Sequence, residues 1–399
     1  MIIGIPQITQ EGQRIIYQVS VQSSRGDEKL WYSIENSYKN LLSESSDAAL
    51  VALLIPAMLI GEDIHIEGII SERLLHNISG PLQKLLQIII PSLHLIKVNS
   101  DNVCLDRKLP ASGVATGFSG GIDSYSVLAD HYQTETNERF KVTHLLFNNV
   151  GSHGRKGEDL FKKRYEGLLA ASKKLSLPFI MINSNLDSFF GKKVSFQKTH
   201  TLRNLSVALL LQKGIGHYLY ASAYKYSDIF VGPTYGIAHI DTIILPLLST
   251  DRLEATSSGS EYSRVEKTLA VAQIPDSHNF LDVCVNPKNT SDYTNCSTCW
   301  KCLRTLATLD IAGLLKHYSA SFDLNRYNNK KHQYFIKLLK SNDPLLREIA
   351  QFAKARNYQF PLSSRILQAL GFISFMKHSN QICYNIKRKL KNSSYTSKR

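Results

Sequence analysis

Apolar segments of strand length alternate with amphipathic segments of helical length from Val114 onward, and this pattern constrains the fold more than any other feature. The strand-like segments are 114–118, 142–150, 177–185 and 217–224, and the helical ones are 123–132, 157–175 and 201–213. Strands separated by such helices form β-α-β units with a parallel sheet, whose ligands bind at the carboxyl ends of the strands. The sequence therefore predicts an α/β fold with its site at that edge of the sheet.

The flanking residues predict two further domains. We expect a small α+β domain of unknown role over residues 1–110. The central domain is predicted over residues 111–318, and a helical, basic extension over residues 319–399. In the first of these, strand-like segments are predicted at 15–22, 64–70 and 93–98 and an apolar helix at 48–60. The apolar run that contains this helix has 14 residues. Because a membrane span needs about 20 residues, we expect a buried helix and no transmembrane segment.

Composition excludes several classes of protein. The 399 residues are 43% hydrophobic and 20% charged, which is typical of a folded chain and excludes a disordered or fibrous one. The first residues, MIIGIPQITQEGQR, lack the pattern of a signal peptide, so we expect a cytoplasmic protein. Six cysteines are too few for a disulfide scaffold of this length.

Positive charge is concentrated at the C-terminus. The net charge is +14, and the segment from Lys377 to Arg399 contains seven Lys or Arg residues and no acid. Such a tail favours an anionic partner such as nucleic acid or a membrane surface, and a solvated, frayed terminus is the equally weighted alternative.

A glycine-containing turn directly joins the first strand of the pattern to its helix. Gly120 and Gly121 allow backbone N–H groups to approach an anion, and Ser119 and Ser124 offer hydroxyls. The helix that starts near Asp123 directs its positive end to the same place. Neither G-x-x-x-x-G-K-[ST] nor G-x-G-x-x-G is present, so the common nucleotide and dinucleotide loops are excluded.

Two interpretations of the turn remain. The first is the nucleophile elbow G-x-S-x-G of α/β-hydrolases, formed by residues 117–121, with Asp282 and His317 in the required chain order. The second follows from the hexapeptide Ser119-Gly120-Gly121-Ile122-Asp123-Ser124, which resembles the S-G-G-x-D-S signature of the pyrophosphate-loop ATPases. That resemblance implies an adenine nucleotide alpha hydrolase-like, Rossmann-like fold. It also implies that Phe118 and the hexapeptide bind ATP, with Ser119 and Asp123 in catalysis and Asp123 ordering the loop or a Mg²⁺ ion.

Four cysteines form a second motif. Cys284, Cys296, Cys299 and Cys302 have the spacing C-x₁₁-C-x₂-C-x₂-C, which matches a structural zinc knuckle over residues 284–302. A [4Fe–4S] cluster and unligated thiols are the alternatives, although a ferredoxin-type run would place a cysteine where this chain has Leu306.

The loop and the cysteines together resemble the 7-cyano-7-deazaguanine synthase-like branch of the pyrophosphate-loop superfamily. The resemblance covers residues 114–314, and it implies that Arg203, followed by Asn204, contacts ATP or substrate. Arg304, two residues after the last cysteine, also resembles this branch at its position. This branch is associated with queuosine-type bases. This chain adds domains on both sides and has no segment that matches the one with which the family contacts its substrate, so the resemblance does not identify the substrate.

Further candidates come from the residues alone. Arg264 and Lys267 follow a Ser/Gly-rich stretch, 255–263, that predicts an active-site loop or a surface connection, and these cations would stabilise departing pyrophosphate. A solvated helix face is the alternative. His239 and Asp241 form a weaker candidate for a general base pair.

The resemblance implies an ATP-dependent, AMP-forming carbon–nitrogen ligase with ATP and Mg²⁺ as cofactors, and the cysteine spacing adds Zn²⁺. Its substrate would be a small molecule, a modified base or a peptide, and a homodimer is compatible with the sequence. A tRNA-thiolating enzyme is one alternative, and a non-catalytic nucleotide-sensing or nucleic-acid-binding module is another. If the four cysteines bind zinc, sulfur transfer has only Cys104 and Cys383 left as carriers, which favours a nitrogen nucleophile.

Overall fold

The computed structural model describes residues 1–105, 109–134, 137–154, 157–191, 194–286 and 293–361. The chain divides into two compact units, Met1–Asp282 and Val283–Arg399.

Within the residues that the structure describes, the strands all lie in the first unit. They are β1 (Ile2–Ile3), β2 (Gln7–Glu11), β3 (Arg14–Ser23), β4 (Gly26–Glu35), β5 (Ile64–Ser71), β6 (Val98–Cys104), β7 (Gly113–Gly117), β8 (His144–Asn149), β9 (Phe179–Ser184), β10 (Ile215–Ala221) and β11 (Glu254–Ser258). Its helices are α1 (Asp47–Ile60), α2 (Glu72–Asn77), α3 (Gln83–Ile89), α4 (Ile122–Leu128), α5 (Glu158–Lys174), α6 (His200–Leu210), α7 (Asp241–Leu247), α8 (Arg264–Val271) and α9 (Ser277–Phe280). The alternation predicted from Val114 onward is thus confirmed, and the fold is α/β.

One sheet of eleven strands runs through this unit in the order β11-β10-β7-β8-β9-β4-β3-β1-β5-β6, with β2 beside β3. The strands from β11 to β9 are parallel, as a Rossmann-like topology requires. At the far side, β4 pairs antiparallel with β9 through Tyr32 opposite Ser184. The strands predicted as a separate domain over 1–110 therefore continue the same sheet. The boundaries proposed at 110 and 318 differ from the division at Asp282.

Helix α1 lies in the core, as its uninterrupted apolar sequence predicts. Its residues from Asp47 to Met58 are all buried, and Gly61 ends the helix in the left-handed conformation at φ 72°. The carboxylate of Asp47 accepts hydrogen bonds from the Ser71 backbone N–H at 2.8 Å and the Gln212 side chain at 2.6 Å, so this buried acid is satisfied within the core. Among the helices of the described residues, none is long and apolar enough to cross a membrane.

Three predicted elements differ from the structure. Of residues 280–285, predicted as a strand, Phe280 instead ends the short helix α9 and residues 281–285 follow it without regular structure. The strand predicted at 93–98 lies later, at Val98–Cys104. The stretch 255–263, predicted as a loop, begins with strand β11, whose backbone pairs in parallel with β10. Because β11 is at the edge of the sheet, its polar side chains are tolerated there, which hides the strand from hydrophobic patterning.

In the described part of the second unit, the helices are α10 (Trp300–Ala312), α11 (Leu324–Lys340) and α12 (Pro344–Ala355). The carboxylates of Asp323 and Asp343 cap the N-termini of α11 and α12 by accepting backbone N–H bonds. The helical character predicted after residue 319 is confirmed in these two helices. The tail at 377–399 lies outside the described residues.

Candidate functional site

The predicted phosphate loop lies at the carboxyl end of β7, inside the parallel part of the sheet. Phe118 is buried, its N–H donates to the Leu146 carbonyl at 2.8 Å, and its ring makes an edge contact with Tyr125. The Ser124 hydroxyl donates to the Gly121 carbonyl at 3.0 Å. The loop is therefore fixed to the sheet at one end and to α4 at the other, while Ser119 between them is exposed.

Gly120 is required by the backbone at this point. Its φ of +71° is left-handed, and an added Cβ would lie 2.6 Å from Leu168 Cδ2 and 3.3 Å from the Phe280 carbonyl oxygen. Its own carbonyl accepts a hydrogen bond from the Asp282 N–H at 2.8 Å. Gly120 is therefore needed both for the left-handed backbone and for the close packing of the loop against Leu168 and Phe280.

Asp123, in the first turn of α4, connects the loop to two cations on α8. Arg264 donates to Asp123 Oδ2 at 2.8 Å, and Lys267 Nζ lies 3.8 Å from Asp123 Oδ1. The side chains of Arg264 and Lys267 are 9% and 2% exposed. The alternative considered for these cations is a solvated helix face. Their low exposure and their pairing with Asp123 argue against it.

Lys267 is held from a second direction by the end of β10. Its ammonium group donates to the Ser222 carbonyl and to the Ser222 hydroxyl, both at 2.7 Å. Gly259, which follows β11, has φ +83°, and a Cβ there would lie 3.3 Å from Lys267 Nζ. The ammonium group is therefore fixed at the carboxyl ends of β10 and β11, on the same edge of the sheet as the loop.

Arg203 lies on α6 and is buried at the end of β8. Its guanidinium donates to the Val150 carbonyl at 2.9 Å and to Asp187 Oδ1 at 2.7 Å, and it stacks 3.5 Å from the centre of the Phe190 ring. Burial lowers the pKa of Arg203, an effect that the bond to Asp187 opposes. These contacts give Arg203 a role in fixing the segment after β8. Its predicted contact with ATP or substrate stays a prediction.

A polar network lies near the start of α6. Asn148 donates to Asn204, and His200 is hydrogen-bonded to the Tyr220 hydroxyl at 2.7 Å. Thr201 donates to Asp241 at 2.7 Å, and burial raises the pKa of Asp241 to about 7 although this bond opposes the shift.

His239 and Asp241, the weaker candidate for a general base pair, are held by different partners. His239 Nδ1 lies 3.1 Å from the Asp228 carbonyl oxygen, and its ring stacks on Tyr224. Asp241 is instead bonded to Thr201.

The four predicted metal ligands come together in the second unit. The sulfur atoms of Cys284, Cys296, Cys299 and Cys302 all lie within 4.8 Å of one another. The distance is 3.9 Å between Cys296 and Cys302 and 3.3 Å between Cys299 and Cys302. Bonds of about 2.3 Å from a tetrahedral zinc ion place its sulfurs about 3.8 Å apart. The four cysteines can therefore hold one metal ion, and the spacing fits Zn²⁺.

Backbone groups support the sulfur cluster. The N–H of Asn286 donates to Cys284 Sγ and that of Cys299 to Cys296 Sγ, each at 3.3 Å. Hydrogen bonds among the thiols lower the pKa of Cys299 and raise that of Cys302.

Asn295 connects the two cysteine-bearing segments. Its side chain accepts from the Val283 N–H at 2.9 Å and donates to the Ser321 carbonyl at 3.1 Å. The sequence gives one indication of this role, because Asn295 directly precedes Cys296.

Sequence reasoning also missed supports of the phosphate loop. Asp282, considered only as a hydrolase acid, binds the loop through its backbone and holds Arg164 at 3.3 Å through its carboxylate. Ser222 was not singled out, although it follows a strand in the parallel sheet, where ligand sites concentrate.

Comparison with known proteins assigns no family. No protein-family model matches the chain, and neither a curated protein nor a solved structure matches it.

Proposed function

We propose that this protein is an ATP-dependent ligase that activates a substrate carboxylate as its adenylate and then joins it to a nitrogen nucleophile, as 7-cyano-7-deazaguanine synthase-like enzymes do. One observation carries the proposal. The S-G-G-x-D-S loop lies at the carboxyl end of β7, and its Asp123 is ion-paired with the buried cations Arg264 and Lys267.

The loop offers groups suited to a triphosphate. In this proposal the N–H groups of Gly120 and Gly121 and the hydroxyl of Ser119, which is exposed, contact the phosphates. The Ser124 hydroxyl is bonded to the loop backbone, which supports a role in keeping the loop's shape. Its role as a phosphate ligand stays a prediction.

The reaction needs charge neutralisation more than proton transfer. A carboxylate oxygen of the substrate attacks the α-phosphorus, the bond from phosphorus to the bridging oxygen breaks, and pyrophosphate leaves with the electron pair. Ammonia or an amine then attacks the acyl carbon, loses a proton, and displaces AMP.

Fixed cations are effective where charge develops on a leaving group, so we assign Arg264 and Lys267 to the pyrophosphate. When bound, Mg²⁺ would supply further positive charge at the phosphates, with Asp123 as its predicted ligand.

Asp123 has a positioning role in this scheme. Its carboxylate fixes the Arg264 guanidinium against the loop, and Ser222 fixes Lys267 from the other side. Because both cations are already oriented, they need not reorganise when charge develops on the leaving group.

Zinc in the cysteine cluster would be structural. Four cysteines fill a tetrahedral coordination shell and leave no position open for substrate. We therefore propose that Zn²⁺ stabilises the fold of the second unit and takes no part in the chemistry.

The test is the affinity for MgATP, measured by isothermal titration calorimetry. Arg264→Ala and Asp123→Asn should each raise the dissociation constant about 10-fold or more, because buried charge-assisted contacts are worth about 1.5–3 kcal/mol. Lys162→Ala, which removes an exposed lysine paired with Glu158, is the matched control and should change the constant less than about 2-fold. Unchanged MgATP affinity in both Arg264→Ala and Asp123→Asn, or no MgATP binding to the wild-type protein, would contradict the proposal.

A further inference from the structure

The positive charge of this protein belongs almost entirely to the second unit. Residues 283–399 contain 20 Lys and Arg against 5 Asp and Glu, whereas residues 1–282 contain 27 against 28. The net charges are therefore +15 and −1. The tail alone does not account for this difference, since residues 293–361 contain 11 basic and 4 acidic side chains. A unit so strongly basic is suited to a polyanionic partner.

Trp300 is the most unusual surface residue of this unit. It is 54% exposed and stands at the start of α10, directly after the metal-ligand candidate Cys299. The Arg304 guanidinium lies 5.1 Å from the centre of its ring, and Lys301 Nζ lies 5.5 Å from it. An indole with cations beside it is poorly suited to an apolar protein partner, and it suits a ligand that combines aromatic rings with negative charge.

Arg304 is buried and Lys301 is partly exposed, and exposed cations lie elsewhere on the same unit. They lie on α11, on α12 and its C-cap, and in the segment before α11: Lys316, Lys330, Lys337, Lys340, Arg347, Lys354 and Arg356. Exposed cations of this kind are sufficient for phosphate contacts, while stacking on bases needs an aromatic surface.

We propose that the second unit binds single-stranded nucleic acid, with Trp300 stacking on a base and exposed Lys and Arg side chains of the same unit contacting phosphates. A single strand fits better than a duplex, because its bases offer exposed faces for stacking. It also fits better than an anionic membrane, which has no ring to stack on Trp300. This inference is independent of the proposed ligase activity, because it uses no residue of the phosphate loop.

The test uses the full-length, zinc-loaded protein and a 12-residue uridine RNA labelled with fluorescein at its 5′ end. The chain has two tryptophans, Trp31 and Trp300, so a Trp31→Phe variant leaves Trp300 as the only indole. In that variant, RNA should quench the indole emission in parallel with the rise in fluorescein anisotropy. The affinity should fall steeply as salt is raised.

Substitution at Trp300 separates stacking from charge. Trp300→Ala should weaken RNA binding about 5-fold to 150-fold, whereas Trp300→Phe, which keeps an aromatic face, should retain most of the affinity. Zinc content and circular dichroism identify any variant that has lost its fold, and Trp300→Phe provides the test if the alanine variant has done so. Unlabelled heparin, a polyanion without bases, should compete equally well with the wild type and with Trp300→Ala.

Three results would overturn the proposal. The first is equal RNA affinity in the wild type and Trp300→Ala. The second is a duplex of the same length that binds as tightly as the single strand. The third is binding to vesicles that contain phosphatidylserine, without binding to RNA.

Discussion

Replacing Gly120 with alanine tests whether the phosphate loop has the conformation described above. The left-handed backbone costs a non-glycine residue about 1–2 kcal/mol. The new Cβ would also lie 2.6 Å from Leu168 Cδ2 and 3.3 Å from the Phe280 carbonyl oxygen, and such overpacking costs about 1–3 kcal/mol. Gly120→Ala should therefore destabilise the first unit by about 2–5 kcal/mol, and its MgATP affinity should fall.

The matched control is Gly167→Ala on α5. A Cβ at Gly167 meets no atom within 4 Å, so this substitution should stabilise its helix by about 0.5–1 kcal/mol. Urea denaturation in a Trp300→Phe background makes Trp31 the reporter of the first unit. If Gly120→Ala unfolds at the same urea concentration as the wild type and binds MgATP equally well, the described loop conformation is wrong.

Three other predictions concern the metal, a buried acid and the remaining cysteines. Metal analysis should find about one Zn²⁺ per chain, and Cys299→Ser should lose it and lose folded structure in the second unit; stoichiometric iron would contradict the assignment. Because burial raises the pKa of Asp241 to about 7, the stability that this group contributes should be present at pH 4 and be lost as the pH rises through 7. Asp241→Asn should remove that part of the pH dependence of the unfolding free energy, and an unchanged pH profile would refute the assignment. The Cys104→Ala/Cys383→Ala double variant should keep full activity with an ammonium source, whereas loss of activity or sulfur in the product would favour thiolation.

The parts of this protein that sequence predicted best are those determined by local spacing. The C-x₂-C-x₂-C run brings three sulfurs together through one turn and the start of α10, so neighbouring residues fix most of that site. The phosphate loop is equally local, since a strand, a glycine turn and a helix follow one another within residues 113–128. The set of possible metal ligands in the first case, and the strand, turn and helix in the second, could be inferred from residue types at fixed offsets, while phosphate binding by the loop stays a prediction.

Features that depend on distant pairing could not be predicted in the same way. The contact between β4 and β9 joins residues about 150 positions apart, and no local pattern specifies which strands pair. The hydrogen bond from the Asp282 N–H to the Gly120 carbonyl could not be predicted either, because almost any residue type supplies a backbone donor. Arg264 and Lys267 were recognised as candidates, but their ion pairs with Asp123 became visible only in the folded chain.

The products formed from ATP test the central proposal most directly. Wild-type protein is incubated with ATP labelled at the α-phosphate and with the small-molecule fraction of a cell extract that supplies the unidentified carboxylate, and the nucleotides are then separated. We expect labelled AMP and an equal amount of pyrophosphate, with both reduced about 100-fold in Ser119→Ala. Labelled ADP with inorganic phosphate, or equal turnover in Ser119→Ala, would contradict it.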